Sequence, residues 1–407
     1  MANQIITNTI IAEHSVAYLR IFSQAIRCAN RFYEKDFALN VNGYKLGQTI
    51  PIKLPTHFTA GSGPNIALND LVERETFLTL DQQLNIGIPI TGIQYTTQLT
   101  EISERIIKPA MIEFASRIDR DILLQGVLGA YNVIGTAGTP LNSFDSFIAM
   151  QAKLQQMGVT GDYFSIVNVK DGFALQSALA NFFNRELNEE IDIEGHLGKL
   201  SGINLYRSNN MPLHKSGNPL GVGLINGAGQ VGNQLITDGW NANIPLFNVG
   251  DVIYISTGNP LYQLQQNTLQ PLGNLASDQE RFVITQAASS DGAGNAIINI
   301  EPGIILTGQY QTVSNSPDDN AVISMAGGAN ILQNSNFMFS AEAFTLAIVP
   351  MQGVPSQYDP GVATDPETGI SVRVVDWYDG TSDRLIKRMD VLYARKFFPQ
   401  YAVRYIS

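Results

Sequence analysis

The segment Gly227-Ala-Gly229-Gln-Val-Gly232 spells the glycine fingerprint of a dinucleotide-binding loop. Such a loop binds pyrophosphate only where a helix begins at the third glycine and directs its N-terminus at the phosphates. Gly239 and Pro245 follow too soon for a stable helix, and residues 217–239 are rich in Gly and Asn. The pattern therefore favours a flexible linker, with the nucleotide site of an α/β enzyme as the alternative.

Residues 186–199 combine an acidic run with two glycines. The acidic side chains could gather a hard cation, but their spacing does not follow a calcium-binding loop, so a solvated acidic face is favoured. They are Glu186, Glu189, Glu190, Asp192 and Glu194. The stretch Gly195-His-Leu-Gly-Lys199 lacks both the glycine spacing and the hydroxyl residue of a phosphate loop, so it is predicted to be a turn.

Asp376, Asp379 and Asp383 place three carboxylates close together near the end of the sequence. Two of them could act as a general acid and base, or Asp379-Gly380 could form the turn of a β-hairpin. Strand patterns on both sides of this segment favour the hairpin.

Other residue types with catalytic or metal-binding chemistry are isolated in the sequence. Cys28 is the single cysteine, so it can form neither an internal disulfide nor a paired-thiol metal site, and the four histidines lie far apart. The motifs Gly-x-Ser-x-Gly, His-Glu-x-x-His and paired cysteines do not occur. We therefore expect no enzyme activity, no cofactor and no metal site.

The bulk composition is typical of a folded protein with an extensive neutral polar surface. The 407 residues suggest two or three domains, with 44% hydrophobic and 15% charged residues. A net charge of −11 opposes approach to a phosphate backbone, so no sequence-specific nucleic-acid binding is expected. No run approaches the roughly 20 apolar residues that cross a bilayer, and the first residues lack a basic leader, so the expectation is an intracellular, unprocessed, soluble chain without membrane contact.

The first third of the sequence alternates helical and extended patterns. Residues 9–33 predict an amphipathic helix whose polar positions include Glu13, Arg20 and Arg27. Residues 37–95 predict a long β-hairpin that has too few residues to form its own core and therefore needs a partner surface. Within this hairpin, Ile86, Ile88 and Ile90 alternate as in a half-buried strand.

Residues 96–130 predict a helix about 50 Å long at 1.5 Å per residue. Its apolar stripe comprises Leu99, Ile102, Ile106, Ala110, Phe114, Ile118 and Ile122. Pro109 is expected to kink this helix or to begin its main segment. Glu113 and Arg117 form an i, i+4 pair off the stripe, and the adjacent charges at 119–121 are expected to lie on the same solvated or interface face.

The remaining sequence predicts an α/β unit, a β-rich region and a closing sheet. Residues 143–183 alternate helix, strand and helix. Strand patterns dominate from 246 to 313 and favour a small β-barrel or sandwich inserted into the α/β unit. Strand patterns also end the sequence, so its last residues are expected to be part of a sheet.

Several segments resemble the coat protein of P22-like phages, a branch of the HK97-type capsid fold that carries an inserted telokin-like β-domain, the I-domain. In that insertion the similar segments are Gly250-Asp-Val-Ile-Tyr-Ile-Ser256, Arg281-Phe-Val-Ile-Thr285 and residues 296–302. In the main fold the similar segments are residues 336–350 and Gly369-Ile-Ser-Val-Arg-Val374. The likeness spans nearly the whole chain, but it is one of order and pattern without an invariant motif.

The resemblance implies an α+β, HK97-like fold with an inserted all-β barrel or sandwich. Its expected parts are an N-terminal helical arm (1–36), an extended β-hairpin loop (37–95), a peripheral domain with a spine helix (96–140 and 336–407), an axial domain (141–220 and 318–335) and the inserted β-domain (221–317).

The resemblance also implies a major capsid protein that self-assembles through hexamers and pentamers into an icosahedral shell around double-stranded DNA. The implied partners are further copies of the chain, a scaffolding protein and a portal, with a decoration protein as a further candidate. The implied location is the virion capsid, assembled in the host bacterial cytoplasm. The expected assembly contacts are Glu13, Arg20, Arg27, Glu113 and Arg117.

Two alternatives to a coat protein stay open from the sequence. One is the nucleotide-binding α/β enzyme that would use Gly227–Gly232. The other is a different assembling protein, such as a tail component or an encapsulin-like compartment shell, although the inserted β-domain disfavours a compartment shell.

Overall fold

The computed structural model describes residues 12–17, 19, 49–58, 72–91, 107–178, 196–351, 361–364 and 370–407. The chain is a mixed α+β protein that is mostly sheet, as the sequence predicts. It divides into two compact units. The first unit comprises Met1–Lys53, Glu75–Ile122 and Phe344–Lys396, and the second comprises Leu54–Arg74, Leu123–Ala343 and Phe397–Ser407.

The described helices are α1 (Lys108–Gly129), α2 (Phe144–Gln156) and α3 (Val169–Ala178). The first strands are β1 (Thr49–Lys53), β2 (Glu75–Thr79), β3 (Gln82–Thr91), β4 (Val133–Gly135), β5 (Tyr163–Asn168), β6 (His196–Leu200), β7 (Ile203–Ser208) and β8 (His214–Lys215). The middle strands are β9 (Gly221–Ile225), β10 (Gly232–Trp240), β11 (Pro245–Phe247), β12 (Val252–Ile255), β13 (Phe282–Ile284), β14 (Ala288–Ser289), β15 (Ala296–Ile304) and β16 (Ile323–Met325). The last strands are β17 (Leu332–Gln333), β18 (Ser335–Ser340), β19 (Phe344–Val349), β20 (Gly361–Thr364), β21 (Ser371–Asp379), β22 (Arg384–Phe397) and β23 (Ala402–Ile406).

The first unit contains a two-stranded pair and a larger antiparallel sheet. β1 and β2 pair only with each other, while β3 pairs along ten residues with β22 in the sheet ordered β19-β22-β21-β20. The predicted alternation in β3 is confirmed: Ile86 and Ile88 are partly buried and Ile90 is 6% exposed, whereas Gly87 and Pro89 between them are exposed. The turn between β21 and β22 confirms the predicted hairpin at Asp379-Gly380.

α1 begins at Lys108, beside Pro109, as expected for a proline that occupies the first helical turn. Phe114, Ile118 and Ile122 of the predicted stripe are buried. The expected charged face is wrong in part, because Asp119 is only 1% exposed. Asp121 accepts a hydrogen bond from the Tyr393 hydroxyl at 2.7 Å and forms an ion pair with Arg395, whose Nε lies 2.9 Å from Asp121 Oδ2, so partners distant in sequence hold Asp121.

Residues 12–17 and 19 are helical, in agreement with the predicted amphipathic helix. Ala12, Val16 and Leu19 are buried, and the Ser15 hydroxyl lies 3.8 Å from the sulfur of Met389 in β22. This helix therefore packs its apolar face on its own unit. Arg20 and Arg27 lie outside the described residues.

The second unit contains a six-stranded mixed sheet in the order β4-β23-β18-β5-β7-β6. Ser143 caps α2 by accepting a hydrogen bond from the Ser146 backbone N–H, and α2 packs Phe147 and Leu154 into the core of this sheet. The last strand, β23, lies between β4 and β18, so the prediction that the sequence ends in a sheet is confirmed. The predicted turn at 195–199 is wrong: His196–Leu200 is strand β6, paired with β7.

A second six-stranded sheet is ordered β16-β12-β13-β15-β10-β9, and the strand patterns predicted between 246 and 313 account for β12, β13 and β15. An antiparallel bridge between Leu224 and Val322 joins its two edges, so the sheet closes into a barrel. Leu235, Phe282 and Ile298 lie in its core. Because β16 pairs with β12, the barrel extends beyond residue 317, where the sequence analysis ended the inserted domain.

The predicted linker at 217–239 is wrong, because β9 and β10 of the barrel occupy most of it. The physical reason is visible at Gly223. A Cβ atom on Gly223 would lie 1.9 Å from Cζ2 of Trp240, so the glycine makes room for the indole ring. Trp240 is 7% exposed and donates from Nε1 to the Thr237 hydroxyl at 2.9 Å. The high glycine content of residues 217–239 therefore reflects close packing in the barrel.

Candidate functional site

The predicted assembly residues that the structure describes are exposed. Glu13 is exposed on the helix of residues 12–17 and 19, and Glu113 and Arg117 are exposed on α1. Their exposure makes them available to another chain without establishing a contact. Arg20 and Arg27 lie outside the described residues, so the five positions remain a prediction.

We define the ribbon as β1 and β2 together with their continuations, residues 54–58 and 72–74. The backbone N–H of Leu54 donates to the Arg74 carbonyl at 2.9 Å, so the pairing continues past β1 and β2. One face of β1 and β2 is covered, because Ile52 is 6% and Leu78 is 0% exposed.

The ribbon also carries large apolar side chains that face solvent. Phe77 is 57% exposed, Phe58 is 59% exposed and Val72 is 48% exposed. A two-stranded ribbon is marginally stable in water by itself, and exposed aromatic side chains add an unfavourable apolar surface.

The outer end of the ribbon contacts Tyr310 of the same chain. The Tyr310 hydroxyl donates to the Val72 carbonyl at 2.7 Å, and the Arg74 guanidinium carbon lies 3.9 Å from the ring centre. The His57 ring meets the Tyr310 ring edge to face, with centres 5.5 Å apart. The sequence predicts that the hairpin needs a partner surface, and at this end Tyr310 of the same chain supplies one.

A small cleft lies beside this contact. His57, Arg74 and Tyr310 line it on one side, and Glu280, Gln263 and Gln400 contribute elsewhere to its wall. Glu280 is 2% exposed, and its Oε1 has no hydrogen-bond partner among the described residues. That oxygen is itself buried, so it does not present an open carboxylate to a ligand.

Glu280 and His57, which line the cleft, and Lys153, which interacts with Glu280, have shifted pKa values. Burial raises the pKa of Glu280 to about 8, although Lys153 and Arg281 partly offset the rise. Burial lowers the pKa of Lys153, and Glu280 opposes that shift. Burial and then the nearby Arg74 charge lower the pKa of His57. Shifted pKa values occur in catalytic sites and also in structural ion pairs.

The cleft lacks the paired groups that nucleophilic catalysis needs. Thr312 is its one Ser or Thr residue among the described lining residues, and backbone groups engage the hydroxyl: it donates to the Gly303 carbonyl at 2.7 Å and accepts from the Ile305 N–H at 2.9 Å. Across the described residues no group of three His, Cys, Asp or Glu side chains could hold a metal ion. Within the same residues no helix is long and apolar enough to span a membrane.

The glycine motif and the aspartate motif are each engaged by other contacts within their own unit. Gly227–Gly232 connects β9 to β10, so within the described residues 196–351 no helix begins at the third glycine, and the nucleotide-site hypothesis is wrong. The Gly227 N–H donates instead to Asp319 Oδ1 at 2.8 Å. Asp376 pairs with Lys387 at 3.2 Å, and Asp379 accepts from the Thr381 N–H at 3.0 Å inside the hairpin turn. The acidic run at 186–194 lies outside the described residues.

Sequence reasoning missed Tyr310 and Glu280. Tyr310 lies in Gln309-Tyr-Gln-Thr312, which carries no periodic pattern and reads as a loop. Glu280 sits in a charged stretch, Asp278 to Arg281, that predicts a solvated surface. Neither residue carries a local signal, because residues distant in sequence create both environments.

No protein-family model matches the sequence, and no curated protein matches it. Among solved structures, the chain is similar to one from Mycobacterium phage Che8, with 12% identity and a TM-score of 0.46 over 93% of this chain and 89% of that chain. It is also similar to the capsid of the cyanophage P-SCSP1u, with 10% identity and a TM-score of 0.39 over 89% and 84% of the two chains. A virus-like particle from Pyrococcus furiosus has 7% identity and a TM-score of 0.39 over 97% of each chain. At these identities and TM-scores the function has to be inferred from the chain itself.

Proposed function

We propose that this chain is a shell-forming structural protein, the major capsid protein of a tailed bacteriophage. The observation that carries the proposal is the ribbon, whose Phe58, Val72 and Phe77 are large apolar side chains that the chain leaves exposed. Neighbouring copies in a closed shell would cover them, and many modest interfaces add through multivalency.

The charge and the absence of paired catalytic groups in the cleft agree with this role. A subunit with net charge −11 cannot condense DNA by neutralising it, so it would contain the genome as a wall. The cleft beside Tyr310 has a buried carboxyl group but no activated nucleophile among its described residues. We infer that the protein is not an enzyme.

The finer assignment follows the resemblance seen in the sequence. The chain would adopt an HK97-like fold of the P22-like branch, with residues 1–36 as the arm, 37–95 as the extended loop and the β-barrel as the inserted domain. Hexamers and pentamers would form an icosahedral shell in the host cytoplasm, with a scaffolding protein and a portal as partners and a decoration protein as a further candidate. The barrel extends past residue 317, so the inserted domain would end near Met325.

The purified full chain tests the proposal by negative-stain electron microscopy, alone and mixed with a candidate scaffolding protein. Closed shells or curved sheets are expected. Open tubes would instead indicate a tail component. Uniform small particles at every concentration, with and without scaffold, would contradict a shell protein.

A variant of the ribbon tests whether its exposed apolar side chains are needed for assembly. The double variant Phe58→Ser, Phe77→Ser should stay folded, because both side chains are more than half exposed, but should form far fewer shells. Phe173→Ser is the matched control, since Phe173 is 54% exposed on α3, outside the ribbon. Equal shell yields from both variants would remove the ribbon as the reason for the proposal.

A further inference from the structure

We propose that Tyr310 is an acceptor site for the ribbon end, occupied by the chain's own ribbon in the free subunit and by the ribbon of a second copy in the shell. The inference rests on the proposed function and deepens it by naming the acceptor residue and its two occupants. The ribbon end comprises residues 54–58 and 72–74.

The contact is well defined at the level of side chains. Tyr310 binds the ribbon end in three ways: its hydroxyl donates to the Val72 carbonyl, one ring face receives the Arg74 guanidinium, and the His57 ring packs edge to face. Both ribbon strands take part, and the Leu54–Arg74 backbone hydrogen bond links them. The ribbon end can therefore dock and release as one piece.

The contact within one chain is weak enough to exchange. The Tyr310–Val72 hydrogen bond is exposed, and exposed hydrogen bonds and cation–π contacts each contribute about 1 kcal/mol or less. Fixing the ribbon end costs conformational entropy of similar size per ordered residue. A few contacts of this strength hold the ribbon end on Tyr310 but allow it to dissociate.

Docking within the chain also leaves apolar surface uncovered. Phe58 and Val72 flank the contact and remain 59% and 48% exposed while the ribbon end sits on Tyr310. Exchange between copies keeps the same Tyr310 contacts, as in domain swapping, and allows a neighbour to cover these side chains as well. At roughly 25 cal/mol per Å² of apolar area, that added burial favours the exchanged state at high subunit concentration.

Isotope-coded crosslinking distinguishes the two occupants. Gln309, which lines the cleft next to Tyr310, is replaced by the photoreactive residue p-benzoyl-phenylalanine in full-length chains made with natural or heavy nitrogen. Equal amounts are mixed, irradiated as free subunits or as assembled shells, and digested for mass spectrometry. Free subunits should give crosslinks to the ribbon end only between peptides of the same isotope. Shells should give about half mixed-isotope crosslinks, as random pairing between copies requires.

Each alternative result has a distinct meaning. Shells whose crosslinks all join peptides of the same isotope would overturn the exchange and leave the proposed function standing. Mixed crosslinks in dilute free subunits would overturn the contact within one chain. Failure to form any shell would overturn the proposed function, and the exchange with it.

Variants of Tyr310 provide a second measurement with a matched control. Tyr310→Ala removes all three contacts and should both speed tryptic cleavage after Arg74 in free subunits and reduce shell yield severalfold. Tyr262→Phe is the control, because the Tyr262 hydroxyl donates a similarly exposed hydrogen bond, to the Asn274 carbonyl at 3.1 Å, elsewhere in the second unit. Unchanged cleavage and unchanged shell yield in Tyr310→Ala would contradict the acceptor site.

Discussion

Arg404 illustrates how a single buried cation connects distant parts of the second unit. It is 0% exposed on β23, and its guanidinium donates to the Val127 carbonyl at 2.8 Å and to the Ser335 hydroxyl at 2.9 Å. A longer hydrogen bond reaches Gln333 Oε1 at 3.4 Å. Burial lowers the pKa of Arg404 to about 10, so the group stays charged at neutral pH.

Arg404→Met should lower the free energy of unfolding by roughly 2–4 kcal/mol, because it removes charge-assisted hydrogen bonds and leaves buried acceptors without donors. Urea unfolding followed by circular dichroism measures the change. Arg384→Met, at an exposed position of β22, should change stability by less than about 0.5 kcal/mol. Equal losses in the two variants would show that Arg404 has no special role.

The raised pKa of Glu280 predicts that the free energy of unfolding depends on pH. Its pKa is about 8 in the folded chain against an ordinary value of 4.5, so the folded state holds its proton more tightly than the unfolded state. The contribution of Glu280 to stability is therefore complete below pH 4.5 and is lost as the pH rises toward 8. The Glu280→Gln variant keeps the size and shape of the side chain but removes its ionisable group.

The stability of Glu280→Gln relative to the natural chain should rise across that pH range and level off above it. Denaturant midpoints at a series of pH values measure the difference. Glu301→Gln, at an exposed position of β15, is the control and should show a flat difference. A flat difference for Glu280→Gln as well would mean that Glu280 ionises normally in the folded chain.

At the scale of elements, the barrel strands β9 and β10 depend on a glycine. Gly223→Ala would place a Cβ atom inside the Trp240 ring, and overpacking of this kind costs about 1–3 kcal/mol. Gly87→Ala in β3 meets no atom within 4 Å and serves as the control. Thermal unfolding followed by Trp fluorescence should show a lower midpoint for Gly223→Ala alone. Unchanged melting would contradict the close approach.

Substitution of the exposed pair Glu113 and Arg117 on α1 should affect assembly but not folding. Glu113→Ala, Arg117→Ala should change stability by less than about 0.5 kcal/mol, because exposed i, i+4 pairs contribute little. We expect shell formation to fall, as measured by light scattering. Lys170→Ala, at an exposed position of α3, is the control. Normal assembly of the double variant would withdraw these two residues from the list of assembly contacts.

At the scale of the whole molecule, the net charge of −11 makes copies of the chain repel one another. Salt shortens the screening length from about 10 Å at 0.1 M to about 3 Å at 1 M. Shell assembly should therefore speed up with added salt, and equal ionic strengths of sodium and potassium chloride should act alike. Slower assembly at high salt would indicate that ion pairs between copies dominate the interfaces.

Local pattern was sufficient for many elements of the fold. The alternation of Ile86, Ile88 and Ile90 identified β3, Pro109 marked the beginning of α1, and Asp379-Gly380 marked a hairpin turn. Each of these signals is contained in a short stretch of sequence, because turn geometry and the burial of one strand face depend on neighbouring residues.

The amino-acid sequence by itself thus determined the mixed α+β character and many of the strands. Tertiary structure alone decided that the glycine-rich segment forms barrel strands, that Asp119 is buried and that the ribbon end meets Tyr310. The reason is physical: each of those outcomes depends on a partner far away in the chain, such as Trp240 for Gly223 or Tyr310 for Arg74. Short-range periodicity carries no information about such partners.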